Sequence, residues 1–220
     1  MTTILSIMNP KGGVAKTTTT INLASYLGRR FSVALIDMDP QASIQSWLGK
    51  ENPFKIYQAS RLSHLSSLPS NPKALAFDFI LIDTPAGIKA KYAEVISQIS
   101  DFVIVPCKTS KLDLDPTLAF VDSYLIPSQT PFKLLLTQVI ASSSHNEKVQ
   151  TFLFEQRVPF FRTSTRHYQA YMQATEQQKS IFDMGYSAGS AQNDYQQIAL
   201  ELLETLNVQA LAKNRSLNLY

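Results

Sequence analysis

A single cysteine, Cys107, occurs in 220 residues. One thiol makes neither an internal disulfide nor a thiolate metal cluster, which fits a reducing compartment. Cys107 itself reads as a small buried hydrophobe at a strand end. Charge is scarce as well: Asp, Glu, Lys and Arg make up 17% of the chain, against 45% apolar residues. That balance supplies a sizeable core and excludes a disordered chain. Long hydrophobic runs are missing. The longest, such as Phe79 to Ile82, Phe102 to Val105 and Leu134 to Leu136, are strand-sized and fall far short of the roughly 20 residues a membrane span needs. Near the start, the apolar stretch Ile4 to Met8 runs straight into Asn9, Pro10 and Lys11 with no basic region before it and no small-residue cleavage site. No secretory signal is expected, and the expected location is the cytoplasm. The sequence shows no repeat and no low-complexity tract.

What is present alternates between two periods. A short apolar run (Ile4 to Met8) is followed by a helical stretch (Lys16 to Gly28) and a second β-rich run (Val33 to Ile36), which makes a βαβ unit. Later runs at Phe79 to Ile82, Phe102 to Val105 and Lys133 to Leu136 are apolar at consecutive positions, as in strands buried on both faces. Helical patterns separate them, for example Tyr92 to Ile99 and Thr117 to Leu125, and an amphipathic helix runs from Tyr195 to Leu206. The expected fold is α/β, a mostly parallel twisted sheet with helices on both faces, in one domain spanning residues 1–220. Residues 50–73, broken by Pro53, Pro69, Pro72 and several serines, are expected to form a surface excursion. A ligand belongs beyond the carboxyl ends of the strands.

Between the first strand and the first helix lies Asn9-Pro10-Lys11-Gly12-Gly13-Val14-Ala15-Lys16-Thr17-Thr18. A triphosphate needs backbone N–H groups converging on its oxygens, and Gly12 and Gly13 let the main chain approach that closely. The loop then opens a helix whose free N-terminal amides and positive dipole end favour an anion. Lys16 adds a cation for the terminal phosphates, and the Thr17 hydroxyl is suited to ligate Mg²⁺. By chance, Lys-Gly-Gly-x-x-Lys-[Ser/Thr] arises about twice per million positions, or roughly once in two thousand chains of this length. Residues 11–18 are therefore expected to bind nucleotide. Asp83 ends a run of four apolar residues at the carboxyl edge of a buried strand, where an acid holds a Mg²⁺-bound water beside such a loop.

With Lys11 directly before the glycines, the loop resembles the deviant Walker A box of the ParA/MinD family of ATPases. Two further segments resemble that family in order and spacing: Ala34-Leu35-Ile36-Asp37-Met38-Asp39-Pro40-Gln41 and Phe79-Ile80-Leu81-Ile82-Asp83-Thr84-Pro85-Ala86-Gly87. A weaker likeness extends through Phe161 to Phe182. The resemblance implies a P-loop NTPase fold and a Mg²⁺-dependent ATPase that forms a homodimer on binding ATP. It implies Asp39 as the residue orienting the attacking water, Asp37 in the outer shell of the metal, and Asp83 on the metal through water. It also implies that Lys11 reaches across a two-fold interface to the other subunit's phosphates, as a catalytic cation beside Lys16. Because the first strand begins within a few residues of Met1, no N-terminal helix-turn-helix extension is expected, which favours the small ParA-like class. Ala15 departs from the family's usual glycine. A methyl group there restricts the backbone while leaving right-handed and extended conformations open, and nucleotide binding is expected to survive.

A net charge of +3 is too small by itself to indicate nucleic acid. Its distribution says more: Arg157, Arg162, Arg166 and Lys179 face the single acid Glu176, with His167, Tyr168 and Tyr171 interleaved. Presented twice by a dimer, that stripe would give sequence-independent, salt-sensitive DNA binding. Arg162, Arg166 and Lys179 are the DNA-contact candidates, with Lys213 and Arg215 behind them; the plain alternative is an ordinary solvated face. Together with the resemblance, this predicts partition of a plasmid, a chromosome locus or a large cargo on the nucleoid, with hydrolysis stimulated by a ParB-like or other adaptor protein. The rival reading is a MinD-like regulator on a membrane, which the acidic Glu201 and Glu204 of the last helix disfavour. A redox relative would need cluster-ligating cysteines that Cys107 alone does not supply.

Overall fold

The computed structural model describes residues 2–49, 52–59, 61–140 and 144–206. Six strands, β1 (Thr3–Ile7), β2 (Val33–Asp37), β3 (Lys55–Gln58), β4 (Phe79–Asp83), β5 (Phe102–Cys107) and β6 (Phe132–Leu136), form one sheet in the order β3-β2-β4-β1-β5-β6. Every pairing among them is parallel.

The consecutive apolar positions follow directly from this arrangement, because a strand sends alternate side chains to opposite faces and both faces here are covered. On one face Leu5, Ile7, Leu35, Phe79, Leu81, Phe102 and Ile104 pack into a core with α1 (Lys16–Leu27), α2 (Ser43–Leu48), α7 (Gln169–Glu176) and α8 (Gly189–Thr205). Their neighbours Ile4, Ile36, Ile80, Ile82, Val103 and Val105 form the other core with α3 (Leu62–Ser66), α4 (Ala90–Ile99), α5 (Lys111–Phe120) and α6 (His145–Glu155). At about 1.5–3 kcal/mol for each fully buried side chain, these two layers carry the stability of the fold. Tyr195 of α8 is wholly buried, and its hydroxyl meets that of Thr19 on α1 at 3.1 Å.

Two sequence expectations are revised. The stretch 50–73 is not merely an excursion, since Lys55–Gln58 is the edge strand β3, paired with β2 from Ala34↔Lys55 to Asp37↔Gln58. Only Ile56 of β3 is even partly buried, so an edge strand of polar residues leaves no apolar run to read. The helix expected at Thr117 to Leu125 begins six residues earlier, at Lys111, and continues as a π-helical turn over Val121–Leu125. Beyond β6, the chain at 159–167 returns beside that strand: Leu134 N donates to Pro159 O (2.9 Å), Phe161 N to Leu134 O (2.8 Å) and Thr165 N to Leu136 O (3.0 Å).

Candidate functional site

Strand β1 lies between β4 and β5, and its carboxyl end is where the chain's successive crossovers part to either side. Register places Ile7 opposite Asp83 and Asp83 opposite Asp37, so the ends of three strands stand level. The loop that follows β1 is pinned from below by Asn9. Its buried amide donates to Pro106 O (2.8 Å) and Thr117 Oγ1 (2.9 Å), while its Oδ1 accepts from Lys11 N (2.8 Å). Gly87 N donates to Pro10 O (2.8 Å), which ties the loop after β4 to the same turn.

Gly13 has φ 69° and Ala15 has φ 68°, ψ 33°. Of the conformations open to an alanine at the entry to α1, neither the right-handed nor the extended one is used: Ala15 is left-handed. A side chain with a Cβ in that region costs about 1–2 kcal/mol, which the surrounding hydrogen bonds must hold in place. Those bonds include Thr137 Oγ1 to Val14 O (3.1 Å) and Gln138 Nε2 to Gly13 O (2.9 Å).

An anion fits the mouth of this loop. Helix α1 has no side-chain cap and no acidic residue in its first turn, and the first amide to find a main-chain acceptor is Thr19 N, on Ala15 O (2.9 Å). The amides before it form the positive end of the helix dipole. Lys16 is buried, with Nζ donating to Lys11 O at 2.7 Å. Burial holds its ammonium below the usual lysine range, and the charges of Asp83 and Asp39 oppose that shift. Lys108 adds a cation unforeseen in the sequence, its Nζ 3.8 Å from where a Cβ on Gly13 would stand.

A hard divalent cation also fits. Thr17 Oγ1 donates to Asp83 Oδ2 (2.6 Å) and Thr20 Oγ1 to Asp83 Oδ1 (3.1 Å). Asp83 is fully buried, and burial pushes its carboxyl up to about 7 despite the two hydroxyls. Among the described residues no group of three or more His, Cys, Asp or Glu is placed to hold a metal. One hydroxyl and one carboxylate beside a phosphate cradle are the sparse oxygen donors that Mg²⁺ accepts when substrate and water complete its shell.

Asp37 and Asp39 divide their work. Asp37 is buried at the end of β2, its Oδ1 accepting from Asp39 N (2.9 Å) and its Oδ2 from Ile44 N (2.9 Å). It therefore shapes the turn that carries Asp39, and burial raises its carboxyl above the usual range. Asp39 is half-buried, with Oδ1 accepting from Gln41 N (2.9 Å) and Oδ2 from Ser43 Oγ (3.0 Å). Lys11 leans outward, its Nζ 3.9 Å from Asp113 Oδ1.

The basic candidates lie apart from the loop. Arg162 is exposed and reaches Glu204 at 3.4 Å, whereas Arg166 is locked to the buried Asp194 of α8 through its backbone N (3.1 Å), Nε (3.4 Å) and Nη2 (2.8 Å). Lys179 is exposed, and its carbonyl accepts from Trp47 Nε1 (2.8 Å). Lys213 and Arg215 lie outside the described residues. Asn9 and Thr20 were not foreseen, since a lone Asn after a strand or a Thr within a helix carries no spacing signal.

A family model described as the CobQ/CobB/MinD/ParA nucleotide binding domain matches residues 5–215. A maintenance of carboxysome distribution protein A from Gloeobacter kilaueensis is 30% identical over 201 residues, covering 90% of this chain and 93% of that protein. The sporulation initiation inhibitor protein Soj of Bacillus subtilis is 31% identical over 154 residues, covering 60% of each. Among solved structures, the septum site-determining protein MinD from Pyrococcus horikoshii, complexed with Mg-ADP, superposes with a TM-score of 0.72 at 22% identity, over 94% of this chain and 98% of that one.

Proposed function

The chain belongs to the CobQ/CobB/MinD/ParA nucleotide-binding family, and on that premise we propose that it is a Mg²⁺-dependent ATPase that dimerises on ATP and positions a large cargo along DNA. Supporting this, its relatives include a carboxysome-distribution protein and the chromosome-partitioning ATPase Soj of Thermus thermophilus. The observation that carries the reading is the Thr17–Asp83 contact at 2.6 Å beneath the uncapped start of α1, with Lys16 buried in the loop above it.

In this reading residues 11–18 hold the triphosphate of ATP. Phosphoryl transfer asks for positioning and for charge stabilisation more than for covalent chemistry. Lys16 and the first amides of α1 meet the charge of the transferring group. Thr17 and Asp83 hold Mg²⁺, which when bound neutralises charge on the phosphate oxygens. Asp39 accepts one hydrogen bond at each oxygen from its own turn, so lone pairs remain to orient a water. Asp37 serves by fixing that turn from behind. Lys11 supplies a cation to the second copy, since a 3.9 Å tether to Asp113 is loose enough to release. Leu112 and Ile140, 80% and 67% exposed, lie in the chain within two residues of Asp113 and Gln138, which contact the loop, and offer apolar surface for that copy to cover.

DNA binding, cytoplasmic and nucleoid location, and stimulation by an adaptor complete the proposal. Arg162 and Lys179 are the accessible cations, and Arg166 offers only the edge of its guanidinium that Asp194 leaves free. A large protein assembly is favoured as cargo over a plasmid, because the likeness to the carboxysome-distribution protein covers 90% of this chain and 93% of that one, while that to Soj covers 60% of each. No helix among the described residues is long and apolar enough to cross a membrane.

The test is light scattering with phosphate release and DNA filter binding at several salt concentrations. Dimers and salt-sensitive DNA retention with ATP, but not with ADP, are expected. DNA retention that ignores both salt and nucleotide contradicts the DNA part, and monomers throughout contradict the dimer.

A further inference from the structure

Directly after β6 the chain does something that a strand does not. Thr137 and Gln138 are consecutive, so on an extended backbone their side chains would point to opposite faces. Instead both reach the same loop, Thr137 Oγ1 donating to Val14 O at 3.1 Å and Gln138 Nε2 to Gly13 O at 2.9 Å. The reason is the backbone of Gln138, which is left-handed at φ 55°. The next residue resumes pairing: Val139 N donates to Thr165 O (3.0 Å) and His167 N to Val139 O (3.3 Å), which places Arg166 beside Val139. Arg166 is in turn fixed to Asp194 of α8 by three hydrogen bonds. One turn of chain thus grips two adjacent carbonyls of the phosphate loop and, a residue later, the segment that carries Arg166.

We propose that Gln138 is a positioning residue that couples occupancy of the phosphate loop to the 165–167 segment. The inference deepens the nucleotide-binding reading and rests on it. A phosphate seated on the loop requires the amides of Gly12 to Lys16 to turn inward, and peptide planes are rigid, so the carbonyls of Gly13 and Val14 turn with them. The grip of Gln138 on Gly13 O changes in step. A non-glycine residue held left-handed stores strain that this grip maintains, so loosening it lets the backbone at 138 relax and moves Val139 against Thr165 and His167. The device has two discrete arrangements, gripped and relaxed, which coupling between two sites requires.

The experiment is amide hydrogen exchange, resolved at Thr165, Arg166 and His167, in the whole chain with and without Mg-ATP analogue, for wild type, Gln138→Ala and Gln138→Glu. Glutamate keeps the size of the side chain but has no N–H to donate to Gly13 O. In wild type, nucleotide is expected to change exchange at these amides by about fivefold or more. Both variants should bind nucleotide, measured by calorimetry, yet lose that response. An unchanged response in Gln138→Glu overturns the role of the bond, and no response in wild type that demonstrably binds nucleotide overturns the coupling. Absence of nucleotide binding in wild type would instead count against the underlying ATPase reading, a distinguishable outcome.

Discussion

The phosphate loop and the basic segment 157–179 handle charge in opposite ways. Around the loop, Lys16 and Asp83 are buried and bound to main-chain or hydroxyl groups within the same corner of the fold. Along the basic segment two of the cations, near the surface, are answered by acids of α8, Arg162 by Glu204 and Arg166 by Asp194, with Lys133 on β6 answered by Glu201. A locally closed device is written in contiguous residues. A surface whose neutralising partners arrive from a distant helix is not, and a stripe of Arg and Lys overstates the positive charge that is free to act.

The sharpest way to break the comparison is to remove the buried cation. Lys16→Ala is expected to lower ATP turnover by about a hundredfold or more, read by phosphate release, while Arg162→Ala leaves basal turnover unchanged. Equal losses would erase the distinction.

Next in size is the contrast within the basic segment. Arg166→Ala leaves the buried Asp194 carboxylate with only the backbone N–H of residue 166 and should cost about 2 kcal/mol in urea unfolding. Arg162→Ala, whose side chain is 78% exposed, should stay within about 0.5 kcal/mol.

A pH series then sharpens the loop side. In metal-free protein Asp83 keeps its proton up to about pH 7, whereas an unfolded aspartate loses it near pH 4. Between those values the folded chain binds more protons than the unfolded one, so stability falls as pH rises from about 4 to 7, by at most about 1.4 kcal/mol per pH unit, and levels off above. The difference between wild type and Asp83→Asn in thermal unfolding with EDTA isolates this contribution; identical pH profiles would show that Asp83 titrates normally. The smallest expected effect is at Ala15→Gly. Relief of the left-handed alanine, less the greater freedom of glycine when unfolded, should stabilise by about 0.5 kcal/mol and tighten nucleotide binding.

Much of this architecture is legible in the sequence because burial on both sheet faces forces unbroken apolar runs, as at Phe79 to Ile82, and because a phosphate loop needs its glycines and lysine within one turn. The edge strand β3 is hidden, since solvent on its open side permits Lys55, Tyr57 and Gln58. The left-handed turn at Ala15 is hidden too, and the groups that hold the two carbonyls just before it, Thr137 and Gln138, come from over a hundred residues away. Asn9, buried beneath the loop, shows as a functional residue only once its bonds to Pro106 and Thr117 are seen.

The central claim is that the corner between β1 and α1 grips a triphosphate. Calorimetric titration of wild type and Lys16→Ala with ATP, each with and without Mg²⁺, tests it most directly. The account predicts saturable binding by wild type that Mg²⁺ strengthens and that Lys16→Ala loses. Failure of wild type to bind at millimolar ATP, or equal binding by Lys16→Ala, would contradict it.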